Sequence, residues 1–254
     1  MNMMIPLQDA LEERSLALFI GADLPSGVTG IPSRAELAND LSQRHGIDRS
    51  LSLAEVTQRI GRAGNRFEFT NYLRTRMDLT KKSPAPFHTE IVACVNHHKI
   101  KEIVTTAIDG LLELACQQAG LDINRLVTQS DADFIRPDCP TVVKLCGDVE
   151  QPGTLVITEQ DYSSLLNQHN RRALVDEIKH IFKHNMILFI GFNTAAAEFR
   201  FLIDHMRESP PARLVYVIWP DLNPIDIRMW KDQGVVILES PPPFLHLPSL
   251  HPSK

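Results

Sequence analysis

Short apolar runs alternate with longer segments of helical periodicity along most of the chain. Several of these runs are apolar without interruption, which is typical of strands buried on both faces of a parallel sheet. The alternation predicts an α/β fold, with a Rossmann-like, mostly parallel sheet and helices on both of its faces. The predicted strands are LALFIGA (16–22), IKEIVTTA (100–107), NRLVTQ (124–129), TVVKLCG (141–147), MILFIGF (186–192), RLVYVIWP (213–220) and VVILES (235–240).

Helical periodicity fills most of the segments between the predicted strands. The first of these helices has the clearest boundaries, because Ser33 and Glu36 have the spacing of a capping box and Gly46 is a typical stop. The predicted helices are RAELANDLSQRHG (34–46), SPAPFHTEIVACVNHH (83–98), DGLLELACQQAG (109–120), RRALVDEIKHIFKHN (171–185), AAAEFRFLIDHMRE (195–208) and NPIDIRMWKDQG (223–234).

Two segments depart from this alternation. Residues 50–82 are helical in pattern and contain no strand, so we interpret them as a small helical insert within the domain. Long excursions after the first strand of an open sheet lie at the carboxyl ends of its strands, and the insert is therefore expected beside the cleft. Residues 1–240 are predicted to form one domain, followed by a proline-rich tail or linker over 241–254. A linker at that position suggests that the chain is one module of a longer protein.

Composition and charge restrict the classes of function. Hydrophobic residues make up 43% of the chain and charged residues 22%, which is ordinary for a globular protein. The formal net charge of -5 argues against a broad nucleic-acid surface, which needs clustered Lys and Arg. No apolar run reaches the roughly 20 residues that span a bilayer, and the N-terminal MNMMIPLQDALEER lacks the layout of a signal peptide. A cytoplasmic protein without membrane association is therefore expected.

The cysteines and histidines do not form a metal-binding pattern. The four cysteines lie far apart, and no pair has the CxxC spacing of a zinc clamp. We expect buried free thiols in a reducing compartment, and no bound metal. His180 and His184 are four residues apart, but without a third ligand in view they are interpreted as exposed helix histidines. The cysteines are Cys94, Cys116, Cys139 and Cys146.

Four segments follow predicted strands and are expected to meet at one edge of the sheet. Each is a weak signal alone, but together and in this order they resemble the sirtuin-like family of NAD-consuming enzymes, from Leu16 to Glu239. The two CxxC pairs typical of the protein deacetylases are missing, which favours the zinc-free branch found in prokaryotic antiphage defence proteins such as those of the Thoeris system. The segments are GADLPSGVTGIPS (21–33), TTAIDGLLE (105–113), KLCGDVEQPGTLVIT (144–158) and LFIGFNTAAAEFR (188–200).

The first segment resembles the family's GAGxS-like turn and GIP segment, which wrap NAD. Small residues in the turn let backbone N–H groups approach a pyrophosphate, and the positive end of the next helix favours its charge. Asp23 and Pro25 depart from the family pattern, since one adds a carboxylate and the other removes an N–H donor. Asp23 is either a loop or cap residue directed away from the ligand, or a charge that weakens phosphate binding. The matching residues are Gly21, Ala22, Gly30, Ile31, Pro32 and Ser33.

The second segment resembles the family's TTNxD motif, with Thr105 and Thr106 retained. The family's asparagine orients the ribose and the attacking water, and Ala107 has no hydrogen-bonding side chain for that role. This alanine is either a natural replacement or an engineered substitution of the kind that traps a substrate. Asp109 resembles the residue near the nicotinamide amide and is an equally good N-cap for the next helix, and both roles can hold together.

The third segment resembles the family's KLHG motif, whose histidine acts as the general base near the ribose. Cys146 stands at the histidine position. It can act as a base only if its thiolate is stabilised, and the alternative is a small, packed, hydrophobic residue.

The fourth segment resembles the family's glycine-led loop, which contacts the phosphates and the adenine-side ribose. Gly191, Asn193 and Thr194 match this loop by residue type. Trp219 lies where the family recognises adenine, and it is either a ring contact or a core residue.

The resemblance implies two functions of different classes. One is an NAD hydrolase of a defence system, which cleaves NAD to nicotinamide and ADP-ribose. The other is a catalytically inactive module that binds NAD or ADP-ribose, or that oligomerises, and acts through a partner protein or a fused domain. Ala107 and Cys146 replace the two chief polar residues of the enzyme, and the sequence leaves both functions open.

Overall fold

A computed structural model gives the fold of most of the chain. The helix expected over 195–208 lies outside the described residues, apart from Leu202. The structure describes residues 5–22, 30–80, 82–165, 171–192, 202, 214–218, 224–232 and 234–246.

Seven strands in the described part of the chain pair into one sheet. They are β1 (Leu16–Ile20), β2 (Glu102–Thr105), β3 (Asn124–Leu126), β4 (Thr141–Lys144), β5 (Met186–Ile190), β6 (Val215–Ile218) and β7 (Val235–Leu238). Their order across the sheet is β3-β4-β2-β1-β5-β6-β7, and every pairing is parallel. The predicted α/β, Rossmann-like fold class is therefore confirmed.

The strands are apolar without interruption because both faces of the sheet are buried. In β1, Ala17 and Phe19 belong to one buried cluster, whereas Leu16 and Leu18 belong to the other. Every side chain of this strand is at most 3% exposed. Because successive side chains of a strand point to opposite faces, a strand covered on both sides is apolar at each position.

Helices supply the cover on each face. Residues of α2, α3, α4 and α8 pack with the Phe19 side of the sheet, and residues of α1, α5 and α6 pack with the Leu18 side. Each described helix is too short or too polar to cross a bilayer. The helices are α1 (Ile5–Glu12), α2 (Arg34–His45), α3 (Leu53–Arg62), α4 (Arg66–Arg76), α5 (Pro86–His98), α6 (Leu111–Gln118), α7 (Glu159–Ser164), α8 (Arg172–His184) and α9 (Pro224–Asp232).

The boundaries of α2 follow from its sequence signals. The Ser33 hydroxyl accepts a hydrogen bond from the Glu36 N–H at 3.2 Å, and the Glu36 carboxylate accepts one from the Ser33 N–H at 2.7 Å. This reciprocal pair is the capping box that the spacing predicts. Gly46 ends the helix in the left-handed conformation, at φ 64°.

Helices α3 and α4 occupy the segment interpreted as an insert, and its end is tied to the loops at the strand ends. Lys82 Nζ donates to the carbonyls of Gly30 and Arg76, both at 2.7 Å. A Cβ placed on Gly110 would lie 3.2 Å from the Leu79 side chain. The segment after α4 therefore contacts both the loop before α2 and the turn before α6.

The direction in which successive strands are added to the sheet reverses at β1. The chain passes from β1 to its neighbour β2 on one side, and it later returns as β5 on the other side. In open α/β sheets, ligands bind in the crevice outside the carboxyl ends of the strands where such a reversal occurs. The edge between β1 and β5 is therefore the place to search for a site.

Candidate functional site

Two glycine turns touch each other where the winding reverses. Gly21 follows β1 and Gly191 follows β5, and a Cβ placed on Gly21 would lie 2.1 Å from the Gly191 carbonyl oxygen. The Gly21 N–H also donates to the Ile190 carbonyl at 2.8 Å. Gly191 has a φ of 67°, in the left-handed region that favours glycine. The backbones of the first and fourth segments are thus in direct contact here, with no side chain between them.

The second segment is hydrogen-bonded to the first. The Thr105 hydroxyl donates to the Ile20 carbonyl at 3.0 Å, and the Thr106 hydroxyl accepts from the Ala22 N–H at 3.0 Å. Both threonines are at most 1% exposed. Their side chains therefore hold the turn after β1 in place, which is a role in the shape of the site.

Ala107 and Asp109 lie in the turn between β2 and α6, and both are partly exposed. One oxygen of the Asp109 carboxylate accepts the Leu111 N–H at 2.9 Å. The structure thus shows Asp109 in a capping contact at the start of α6. Ala107 brings no hydrogen-bonding side chain to this turn.

Cys146 is fully buried behind the edge of the sheet, at 0% exposure. Its Sγ lies 3.9 Å from the Tyr162 hydroxyl of α7. The next residue, Gly147, has a φ of 80°, and a Cβ there would lie 2.1 Å from the Thr154 carbonyl oxygen. The chain therefore folds back tightly on itself directly after Cys146, whose thiol does not reach solvent in this conformation.

Arg34 links three of the elements at this edge. Its guanidinium donates to the Thr106 carbonyl and to the Tyr162 hydroxyl, each at 3.3 Å. Sequence reasoning missed both Arg34 and Tyr162 as site residues. Tyr162 lies 128 positions from Arg34 in sequence, so no local spacing indicates the contact.

Arg171 is a second guanidinium that sequence reasoning missed. It lies immediately before α8, is 3% exposed, and donates to the Leu145 carbonyl at 2.7 Å and to the Thr154 carbonyl. Burial lowers the pKa of its guanidinium. By bonding two backbone carbonyls on either side of Cys146, Arg171 fixes the course of the third segment.

Lys144 is the first residue of the third segment, and it lies at the centre of a buried cluster of charged side chains. Its Nζ lies 2.7 Å from an Asp148 carboxylate oxygen and 2.9 Å from one of Glu113, and it donates to the Asp109 carbonyl. Arg125 adds a second cation, 2.6 Å from Asp148. Burial alone would lower the pKa of Lys144, but the neighbouring carboxylates outweigh burial and raise it. The cluster therefore ties the second segment to the third.

The remaining candidate residues fall into two groups. In the GIP segment, Gly30 is exposed with a φ of 71°, Ile31 is buried and Pro32 is partly buried. Four candidates lie outside the described residues, namely Asp23, Asn193, Thr194 and Trp219.

A separate hollow of about 300 Å³ lies between α2 and α4, away from the strand ends. Polar groups around it already contact one another, since Arg44 pairs with Asp40 at 3.1 Å and the His45 imidazole lies 3.5 Å from the Glu68 carboxylate. Within the described residues, no group of three or more His, Cys, Asp or Glu side chains is arranged to hold a metal ion. The edge formed by β1, β2, β4 and β5 remains the stronger candidate for a ligand site.

Comparison with known proteins gives two kinds of similarity. The family model of the SIR2-like domain matches residues 101–238. A Sir2 homologue solved as an NAD complex has 14% identity and a TM-score of 0.54, over 91% of this chain and 87% of that chain. A Sir2 complex with a p53 peptide and NAD+ has 12% identity and a TM-score of 0.54, over 93% and 92% of the two chains. At these identities the likeness to solved structures concerns the fold, and a comparison with curated proteins gives no match.

Proposed function

The chain belongs to the SIR2-like domain family, and on that premise we propose that it binds NAD at the carboxyl edge of the sheet. The observation that carries the proposal is the contact between Gly21 and Gly191 where the winding reverses. Bare backbone at that point lets a diphosphate approach N–H groups, and the crevice between the halves of the sheet accommodates a dinucleotide. A Sir2 homologue of the same fold is an NAD complex, which supports this choice of ligand.

Different residues of the chain would bind different parts of the ligand. Gly21, Ala22 and Gly191 would present backbone to the diphosphate, with Thr105 and Thr106 holding the turn. Gly30, Ile31 and Pro32 would close over the ligand from the side of α2, where Lys82 already binds the Gly30 carbonyl. Asp109 would lie near the nicotinamide. Asp23, Asn193, Thr194 and Trp219 complete the proposed set.

We propose that this NAD-binding module does not cleave its ligand. Hydrolysis of the nicotinamide–ribose bond needs a group that orients and deprotonates water, and Ala107 offers no such group. The Cys146 thiol is fully buried behind Tyr162 and cannot reach water in the cleft. The alternative function, NAD hydrolysis, is favoured by the retained threonine turn and by Asp109.

The wider role follows from the resemblance to the zinc-free branch of the family. We propose a cytoplasmic module of a prokaryotic defence system, which acts through self-assembly or through a partner protein or fused domain. The domain would extend over residues 1–240, with the tail 241–254 as the connection.

Thermal unfolding with NAD, combined with an assay for nicotinamide, tests the proposal. NAD at a hundred times its dissociation constant should stabilise the fold by about 2.7 kcal/mol. For a chain of this size, that raises the melting temperature by roughly 5–10 °C. No nicotinamide should be released. Release by the unaltered chain would support the hydrolase instead, and the double variant Ala107→Asn/Cys146→His shows whether the assay detects a restored site.

An unchanged melting temperature at millimolar NAD and ADP-ribose would contradict binding altogether. In that case a structural role in assembly would replace the proposal.

A further inference from the structure

The turn after α4 presents a lysine side chain to the GIP segment. Lys82 Nζ donates to the Gly30 carbonyl of that segment and to the Arg76 carbonyl at the end of α4, both at 2.7 Å. Hydrogen bonds from an ionised donor are shorter and roughly twice as strong as those between neutral groups. Lys82 therefore joins the GIP segment directly to the end of α4.

The turn that carries Lys82 is itself held in place. The Lys82 N–H donates to the Leu79 carbonyl at 3.0 Å, and the Asp78 carboxylate accepts from the Thr80 N–H at 3.0 Å. The Leu79 side chain packs against the buried cluster on the Phe19 side of the sheet. Because both its backbone and an apolar side chain are anchored, the turn gives the lysine a fixed base.

The composition of the GIP segment explains why a contact from outside would matter. Gly30 is exposed and has a φ of 71°, and glycine loses more backbone entropy than other residues when its conformation is fixed. Pro32 has no backbone N–H to donate to a neighbouring loop. A side chain that bonds the Gly30 carbonyl therefore restricts a segment whose own backbone is poorly suited to hold it.

Lys82 also lies on the side of the site where the nicotinamide is proposed to bind. Burial lowers the pKa of Lys82, and the Asp109 carboxylate is among the nearby charges that oppose this shift. A Cβ placed on Gly110, the residue after Asp109, would lie 3.2 Å from the Leu79 side chain. One anchored turn thus contacts both the GIP segment and the turn that carries Asp109.

We propose that Lys82 positions the GIP segment over the nicotinamide half of NAD, and that tight binding of NAD depends on this contact. The inference rests on the proposed NAD binding and assigns a positioning residue to that site. Without Lys82, the segment would be in place for only part of the time, and the dissociation constant would rise by the inverse of that fraction. ADP lacks the nicotinamide riboside and gains nothing from the contact.

Calorimetric titration of the full chain with NAD and with ADP tests this assignment. Lys82→Met should weaken NAD roughly tenfold, as expected if the segment is in place about a tenth of the time, and should change ADP less than about twofold. Lys82→Arg retains donors for both carbonyls and should bind NAD within about threefold of the unaltered chain.

The matched control is Lys101→Met, because Lys101 makes the same kind of contact away from the proposed site. Its Nζ donates to the carbonyls of Pro137 and Asp138, at 3.1 Å and 3.0 Å, beside the amino end of β2. Each variant loses two bonds from a lysine to backbone carbonyls, so the two should melt at similar temperatures. Lys101→Met should nevertheless bind NAD and ADP as the unaltered chain does.

The possible outcomes separate this assignment from NAD binding itself. If the unaltered chain does not bind NAD, the proposed function fails and the role of Lys82 fails with it. If the chain binds NAD but Lys82→Met weakens it no more than Lys101→Met does, the assignment is wrong while NAD binding stands. An equal loss of NAD and ADP in Lys82→Met would also overturn it, because a disturbed fold weakens both ligands alike.

Discussion

Replacing Gly21 with alanine is expected to lower the free energy of unfolding by about 3 kcal/mol and to abolish nucleotide binding. The new Cβ would lie 2.1 Å from the Gly191 carbonyl oxygen and 2.9 Å from the Phe192 Cα. These atoms are backbone, so the clash cannot be relieved by turning a side chain. The turn after β1 must separate from the turn after β5, at a cost in the upper range of that for overpacking a core.

Urea titration and thermal unfolding measure this effect, with Gly153→Ala as the matched control. A Cβ on Gly153 meets no atom within 4 Å, so the control should melt close to the unaltered chain. Gly21→Ala should melt roughly 6–12 °C lower. Equal melting temperatures for the two variants would show that the two glycine turns are not in contact.

Replacing Lys144 with methionine is expected to cost about 3–5 kcal/mol, the range for breaking a buried ion pair from one side. The Lys144 side chain is 0% exposed, and its loss removes one of the two cations that pair with the Asp148 carboxylate, itself only 5% exposed. The Asp109 carbonyl also loses its donor. Because the neighbouring carboxylates raise the pKa of Lys144 above its usual value, the residue is charged at neutral pH and its full contribution is present there.

Chemical unfolding of Lys144→Met should be compared with Arg172→Met. Arg172 pairs with Asp176 at 3.7 Å on the surface, where its side chain is 82% exposed, and its replacement should change stability by less than about 0.5 kcal/mol. Adding Glu113→Gln to Lys144→Met should recover part of the loss, since it removes a carboxylate that has lost its nearer cation and keeps only Arg125 at 3.8 Å. Equal stabilities of the two single variants would mean that the cluster contributes nothing to the fold.

Much of the fold could be predicted because its strands are covered on both faces. LALFI in β1 and MILFI in β5 are apolar at every position, and burial of the whole strand explains why. The ends of α2 were predictable for a similar reason, since Ser33, Glu36 and Gly46 satisfy the helix termini locally. The short helix α1 carries no distinctive stop, whereas α7 begins with a capping box of Thr158 and Asp161 that sequence reasoning missed.

The site was predictable only in part, because its key contacts join residues far apart in sequence. Strand ends indicate where turns meet, and so the glycine and threonine segments could be predicted to converge. The roles of Arg34 and Tyr162 depend on a contact across 128 positions, and that of Arg171 on two distant carbonyls. The burial of Cys146 likewise follows from packing against Tyr162, which no motif encodes.

The most direct test of the central claim is a crystal structure of the chain with bound NAD. We expect the diphosphate to lie over Gly21 and Gly191, at the carboxyl ends of β1 and β5. NAD bound in the hollow between α2 and α4, or anywhere away from the carboxyl ends of β1 and β5, would contradict the account.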